Sequence, residues 1–217
     1  MTSMNIYPGN NNQISRQYAS LGFWSAMIMT IAVIFSGATA STAMKFPSLI
    51  SGFILIPVFL FFMACIHEYS PPDKKFFSRL GLLFSTGYIT LIGFNYYMQL
   101  TLVRKNLYSE PFAMDDPLSI MIVIEALGYG FMGLATLSTA FIFTDGILEK
   151  AVRWLFIING ILGIGGIIGY ALGLSMTILA GGLIAWDIIM PISSILMAIL
   201  FRKVLRVSEA LPSALST

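Results

Sequence analysis

The sequence predicts an all-α fold: one polytopic membrane bundle of six transmembrane helices, with both termini cytoplasmic. Three observations predict it. Of 217 residues, 57% are hydrophobic and only 10% charged, and the mean hydropathy is +0.85. Ordinary soluble domains carry roughly 25% charged residues, so this mixture cannot clothe a water-facing surface, and its solvent is lipid. Six stretches reach the ~20 apolar residues that a helix needs to cross a hydrocarbon core ~30 Å thick. Lys and Arg are also shared unequally between the two sides that six spans create, as cytoplasmic retention of positive charge requires.

The elements follow in chain order. Residues 1–19, with the polar run YPGNNNQ, read as a flexible cytoplasmic tail. The first span covers 21–41 and brings Ser36, Thr39 and Ser41 near its outer end. Its Ala38-Thr39-Ala40 is an A-x-A-like cleavage site. The leader carries only Arg16, however, and the apolar run is long for a signal peptide, so a retained helix is expected. The second span, 47–66, contains Pro57 and ends at His67-Glu68. The third, 80–102, places Ser85, Tyr88, Asn95 and Gln99 in one sector, because offsets of three, four and seven stay on one side of a helix. The fourth, 117–143, holds Glu125 and, one turn on, Tyr129. The fifth, 154–174, reads NGILGIGGIIGYALG from Asn159, with Gly165, Gly169 and Gly173 recurring every fourth residue as an expected packing face, within the chain or against a second copy. The sixth, 177–201, holds Asp187 four residues before Pro191. A proline inside a helix frees the carbonyl four residues earlier, so a kink, a loose acceptor and a carboxylate should coincide there. The short connections make 20–203 one domain, and 204–217 a cytoplasmic tail.

The orientation rests on charge. One side gathers Arg16, Lys74, Lys75, Arg79, Lys150, Arg153, Arg202, Lys203 and Arg206; the other has Lys45, Arg104 and Lys105, which completes the twelve. The first side is therefore expected inside the cell membrane. Trp24 and Trp154 fall near that boundary, where indoles commonly anchor.

Glu125 and Asp187 stand out because a carboxylate within a transmembrane helix costs about 2.5–3.5 kcal/mol. At the usual helical rise, Glu125 lies ~12 Å below Pro117, Asp187 ~15 Å below Thr177 and Asn95 ~9 Å from the outer end of its span. The three share the outer half of the membrane. A bound proton, a bound cation or amine, or Arg104 snorkelling inward from its helix end would each offset the charge. With Tyr88, Gln99 and Tyr129 these groups outline an outward-facing polar pocket, whose candidate ligands are a proton, a small cation, an amine or a lipid. The competing reading makes each acid a hydrogen-bonded packing group.

Other chemistries find little footing. A single Cys65 excludes an intrachain disulfide, and a single His67 leaves little room for histidine-based metal or acid–base work, so no metal or cofactor is expected. No zinc-protease, nucleophile-elbow or phosphate-loop motif occurs. The net charge of +2 gives no footing for nucleic acid. The stretch EALGYGFMGLATLSTAFIF, followed by AVRWLFIINGILGIGGIIGYALGL, resembles a family of small six-helix prokaryotic membrane proteins known as a domain of unknown function. That resemblance covers the last three spans and implies the six-helix architecture, without a mechanism. Three functions remain in competition: a small transporter or ligand-binding membrane protein, a structural or regulatory subunit held through the glycine face, and an intramembrane enzyme acting on a lipid or isoprenoid. The missing motifs weigh against the enzyme.

Overall fold

A computed structural model describes residues 14–40, 45–102, 119–173 and 185–214. Among the described residues, six helices are long and apolar enough to cross a membrane. They are α1 (Arg16–Ala40), α2 (Lys45–Tyr69), α3 (Lys75–Thr101), α4 (Ile120–Ala140), α5 (Gly146–Ala171) and α6 (Met190–Ala214), the last entered through a π-helical turn at Ala185–Ile189. A short 3-10 turn, Pro72–Lys74, joins α2 to α3.

Each helix packs on the next in sequence, and α6 returns to α1, so the bundle closes into a ring. Glycines make the close approaches. A side chain at Gly22 would collide with the Phe201 ring, so the bare backbone of α1 is what admits α6. Between α4 and α5 the backbones themselves touch: a Cβ at Gly163 would lie 3.0 Å from the Tyr129 carbonyl and 3.1 Å from the Gly133 Cα, and one at Gly160 2.9 Å from the Gly133 carbonyl. This is the small-residue packing that lipid-embedded helices use, since the solvent gives them little hydrophobic drive to associate.

That contact uses other glycines than the expected Gly165, Gly169 and Gly173. A Cβ at Gly165 would meet nothing within 4 Å among the described residues. Gly173 lies beyond α5, at φ +64°, where its N–H closes the helix end on the Tyr170 carbonyl. Gly169 is buried. A spacing of four picks out a face, but only the facing helix, with its Gly133, decides which face is used.

The lipid-facing surface explains the composition. Ile31, Phe61 and Leu83 are each more than 60% exposed, a liability in water and ordinary against acyl chains. Trp24 and Trp154 are also exposed, each eight residues inside its helix. The core gathers Met29, Leu55, Phe59, Phe62, Met63, Ile92, Phe156 and Phe201.

Helix ends differ from the expected spans in an instructive way. Hydropathy marks the hydrocarbon stretch, whereas the helices continue past it. Thus α5 begins at Gly146 and α6 runs on to Ala214, through residues expected in the tail. In the other direction, α4 starts at Ile120, where Ser119 caps it by accepting from the Ile122 N–H at 3.3 Å. Glu125 therefore sits five residues, or ~8 Å, inside its helix. Arg104, the outer loop around it, and the stretch from Thr177 from which Asp187 was measured lie outside the described residues.

Candidate functional site

The expected polar stripe on α3 is present and faces inward. Ser85, Tyr88, Asn95 and Gln99 are all buried, in the company of Ser78, Gly81 and Ile92. Their roles differ. Asn95 donates from Nδ2 to the Met121 carbonyl at 2.6 Å, and Gln99 donates from Nε2 to Asn95 Oδ1. Met121 is one turn before Glu125, so this pair holds α3 to the turn that carries the acid. Ser85 returns its hydroxyl to the Gly81 carbonyl at 2.7 Å.

Glu125 is half-buried. Tyr129, one turn on as the sequence indicates, shares the helix face of Glu125, and the Tyr129 hydroxyl lies 3.4 Å from that of Tyr96. Tyr96 was not expected here. It reaches inward because Gly52 on α2 has no side chain: a Cβ there would sit 2.1 Å from the ring.

Asp187 comes from the π-helical turn. Pro191 has no N–H with which to bond the Asp187 carbonyl, and the chain accommodates this by widening into π geometry over the preceding residues. Pro191 is buried and Pro57 exposed, the latter inside a continuous α2. The widened turn brings two side chains into play. Trp186 stacks obliquely on Tyr129, centroids 5.4 Å apart, and lies 6.5 Å from Tyr88; Tyr88 and Tyr129 are themselves 6.2 Å apart. The exposed Asp187 carboxylate stands beside Gly37 of α1, 3.4 Å from where a Cβ would be. The interior cluster is a carboxylate, a phenol chain and three contacting rings, with a second carboxylate at its edge.

Hydroxyls expected at the outer mouth serve the helices instead. Ser36 pairs with Ser48 at 3.2 Å, and Thr39 bonds the Phe35 carbonyl at 2.7 Å.

A second polar centre lies at the opposite end of the bundle, and sequence reasoning did not find it. Buried Glu149 accepts from the Thr144 and Asp145 N–H groups, each at 2.9 Å, and from the Tyr69 hydroxyl. Lys74 donates to the Thr144 hydroxyl at 2.8 Å. Gly146, at φ +70°, makes the tight turn that lets Glu149 reach back. Phe143 packs on both Tyr69 and Phe156, and Tyr69 on Phe201, which seals this end with aromatic rings. His67, beside it, pairs its Nδ1 with Ser78 Oγ at 2.8 Å and accepts from Lys75 at its carbonyl. Glu149 looks in sequence like one more acid in a charged loop; only the loop's geometry makes it a clamp. Glu149→Ala leaves two backbone donors and a phenol without their acceptor and should cost roughly 2–4 kcal/mol, with Tyr69→Phe costing about 1 kcal/mol. Thermal unfolding of both variants in detergent measures this, and an unchanged Glu149→Ala midpoint would refute the clamp.

No protein-family model, curated protein or solved structure matches the chain. The six-helix architecture implied by the resemblance is present; membership of that family has no support from these comparisons.

Proposed function

We propose that the protein is a small ligand-binding or transport protein of the cell membrane, with Glu125 and Asp187 at one site that opens to the outside. The observation that carries this reading is a ring contact: Trp186, next to Asp187 in the π turn, packs against Tyr129, one helical turn from Glu125. With Tyr88, these rings link α3, α4 and the turn leading into α6.

Three further features support it. Intramembrane acids commonly mark ligand, ion or proton paths. The π-helical turn places irregular backbone at the same site, as broken helices do in transporters. The Glu149–Tyr69 clamp and its aromatic seal close the other end, which suits a site reached from the Glu125 side. Apart from Lys45 at the start of α2, every described Lys and Arg lies toward the clamped end, so both termini and that end are assigned to the cytoplasm.

The orientation is open to direct test. In a Cys65→Ala background, a cysteine at Ser109 should be labelled by an impermeant maleimide from outside intact cells, and one at exposed Asp73 only after permeabilisation. The reverse pattern would overturn the orientation. Ser78, on the same side as Asp73, is unsuitable for a probe because it is buried against His67.

The outer side of α5 supports a second reading. Gly165, Ile161, Ile168 and Leu172 are exposed along it, a face on which a second helix could approach closely. That reading assigns the protein a subunit role, in a homo-oligomer or with another membrane protein.

A further inference from the structure

The groups around Glu125 narrow the chemistry of what it would hold. A hard inorganic cation stripped of water needs a shell of about six or more oxygens. The described cluster offers a carboxylate and two or three phenol oxygens, and the remaining surface is ring: Tyr88, Tyr129 and Trp186 in mutual contact, with Phe59 backing Tyr88 edge-on at 4.9 Å. Ring faces are poor substitutes for an alkali ion's hydration shell, yet they stabilise an alkylated ammonium, whose charge is spread over methyl or methylene groups and whose desolvation is cheap. Indole is the strongest of these faces, and Trp186 presents one beside Tyr129, one helical turn from Glu125.

We infer that the site takes an organic ammonium ion, with Glu125 as its counter-charge, the faces of Trp186 and Tyr129 against its alkyl groups, Tyr88 backing those rings, and Asp187 as the acid at the mouth. This rests on the proposed ligand site and assigns its substrate class. The residues divide the work. The carboxylate selects for charge. The rings select for an alkylated cation over a hydrated one. The Tyr96 hydroxyl, 3.4 Å from that of Tyr129, makes Tyr96 a positioning residue for that ring. Gly52 and Gly37 are the spaces that allow Tyr96 and Asp187 to stand where they do.

The probe pair for the test is choline and its neutral isostere 3,3-dimethyl-1-butanol, which differ only in nitrogen against carbon at the branch point. With Trp24→Phe and Trp154→Phe, Trp186 is the sole indole and reports its own site. In lipid nanodiscs at constant ionic strength, choline should change Trp186 emission saturably, and the isostere should bind at least about tenfold more weakly. Glu125→Gln should erase that discrimination. Tyr129→Leu should weaken choline, while Tyr129→Phe, which keeps the ring, should retain more of the binding; the comparison separates a ring-face role from simple loss of fold. Equal binding of choline and isostere would overturn the inference. A response to sodium instead of choline, lost in Glu125→Gln, would overturn it too and leave the ligand site standing. No Glu125-dependent response to either cation would remove both.

Discussion

Gly163→Leu should be among the most destabilising single substitutions in the molecule. A leucine there must push against the Tyr129 carbonyl and the Gly133 Cα, neither of which can swing aside as a side chain could. The helices α4 and α5 must separate, and overpacking of this kind costs about 3 kcal/mol, a fall in the melting midpoint on the order of 5–10 °C. Gly165→Leu, two residues away, meets nothing described and should change the midpoint by little. Because Tyr129 is the residue displaced, the damage at Gly163 should extend to the Glu125 site. Equal effects at the two positions would mean that α4 and α5 do not meet along the Gly133–Gly163 line.

The second large effect is functional. Glu125→Gln keeps the shape and the hydrogen-bonding capacity of the side chain and removes its charge, so the bundle should fold with at most a slight change in midpoint. The response to a cationic ligand should nevertheless fall by about tenfold or more, the scale of losing a charge partner in a desolvated site. Asp187→Asn should have the weaker effect, since its carboxylate stands exposed at the edge of the cluster. Loss of fold in Glu125→Gln would show that the acid is a packing group, the competing reading of the same residue.

What the sequence reveals depends on the range of the interaction. Hydropathy measures exposure to lipid, so the six spans and the all-α class are legible from composition alone. Helical periodicity is local, so the Asn95 stripe and the Glu125–Tyr129 pair are legible too. The Pro191 signal pointed correctly to irregular backbone at Asp187, although it could not say that the irregularity is a π turn or that it delivers Trp186. Contacts between helices are where the reading fails. Tyr96 looks like a neighbour of lipid-facing Tyr97 until Gly52, on another helix, is seen to leave it room. The glycine spacing on α5 named Gly165, and only Gly133 on α4 shows that Gly160 and Gly163 are the pair in contact. Glu149 needed the geometry of a turn. In each case the deciding atom belongs to a distant part of the chain.

The central claim is that Glu125 and Asp187 belong to one site. Infrared difference spectroscopy can test it in lipid nanodiscs by isolating the carboxyl bands lost in Glu125→Gln and in Asp187→Asn. If the contact between Tyr129 and Trp186 joins the two acids, removing either charge should shift the band of the other, and the double variant should depart from the sum of the singles. Trp186→Leu should weaken that coupling by removing the contact. Bands that add without shifting, in the single and double variants alike, would place the two carboxyls in separate environments and contradict the shared site.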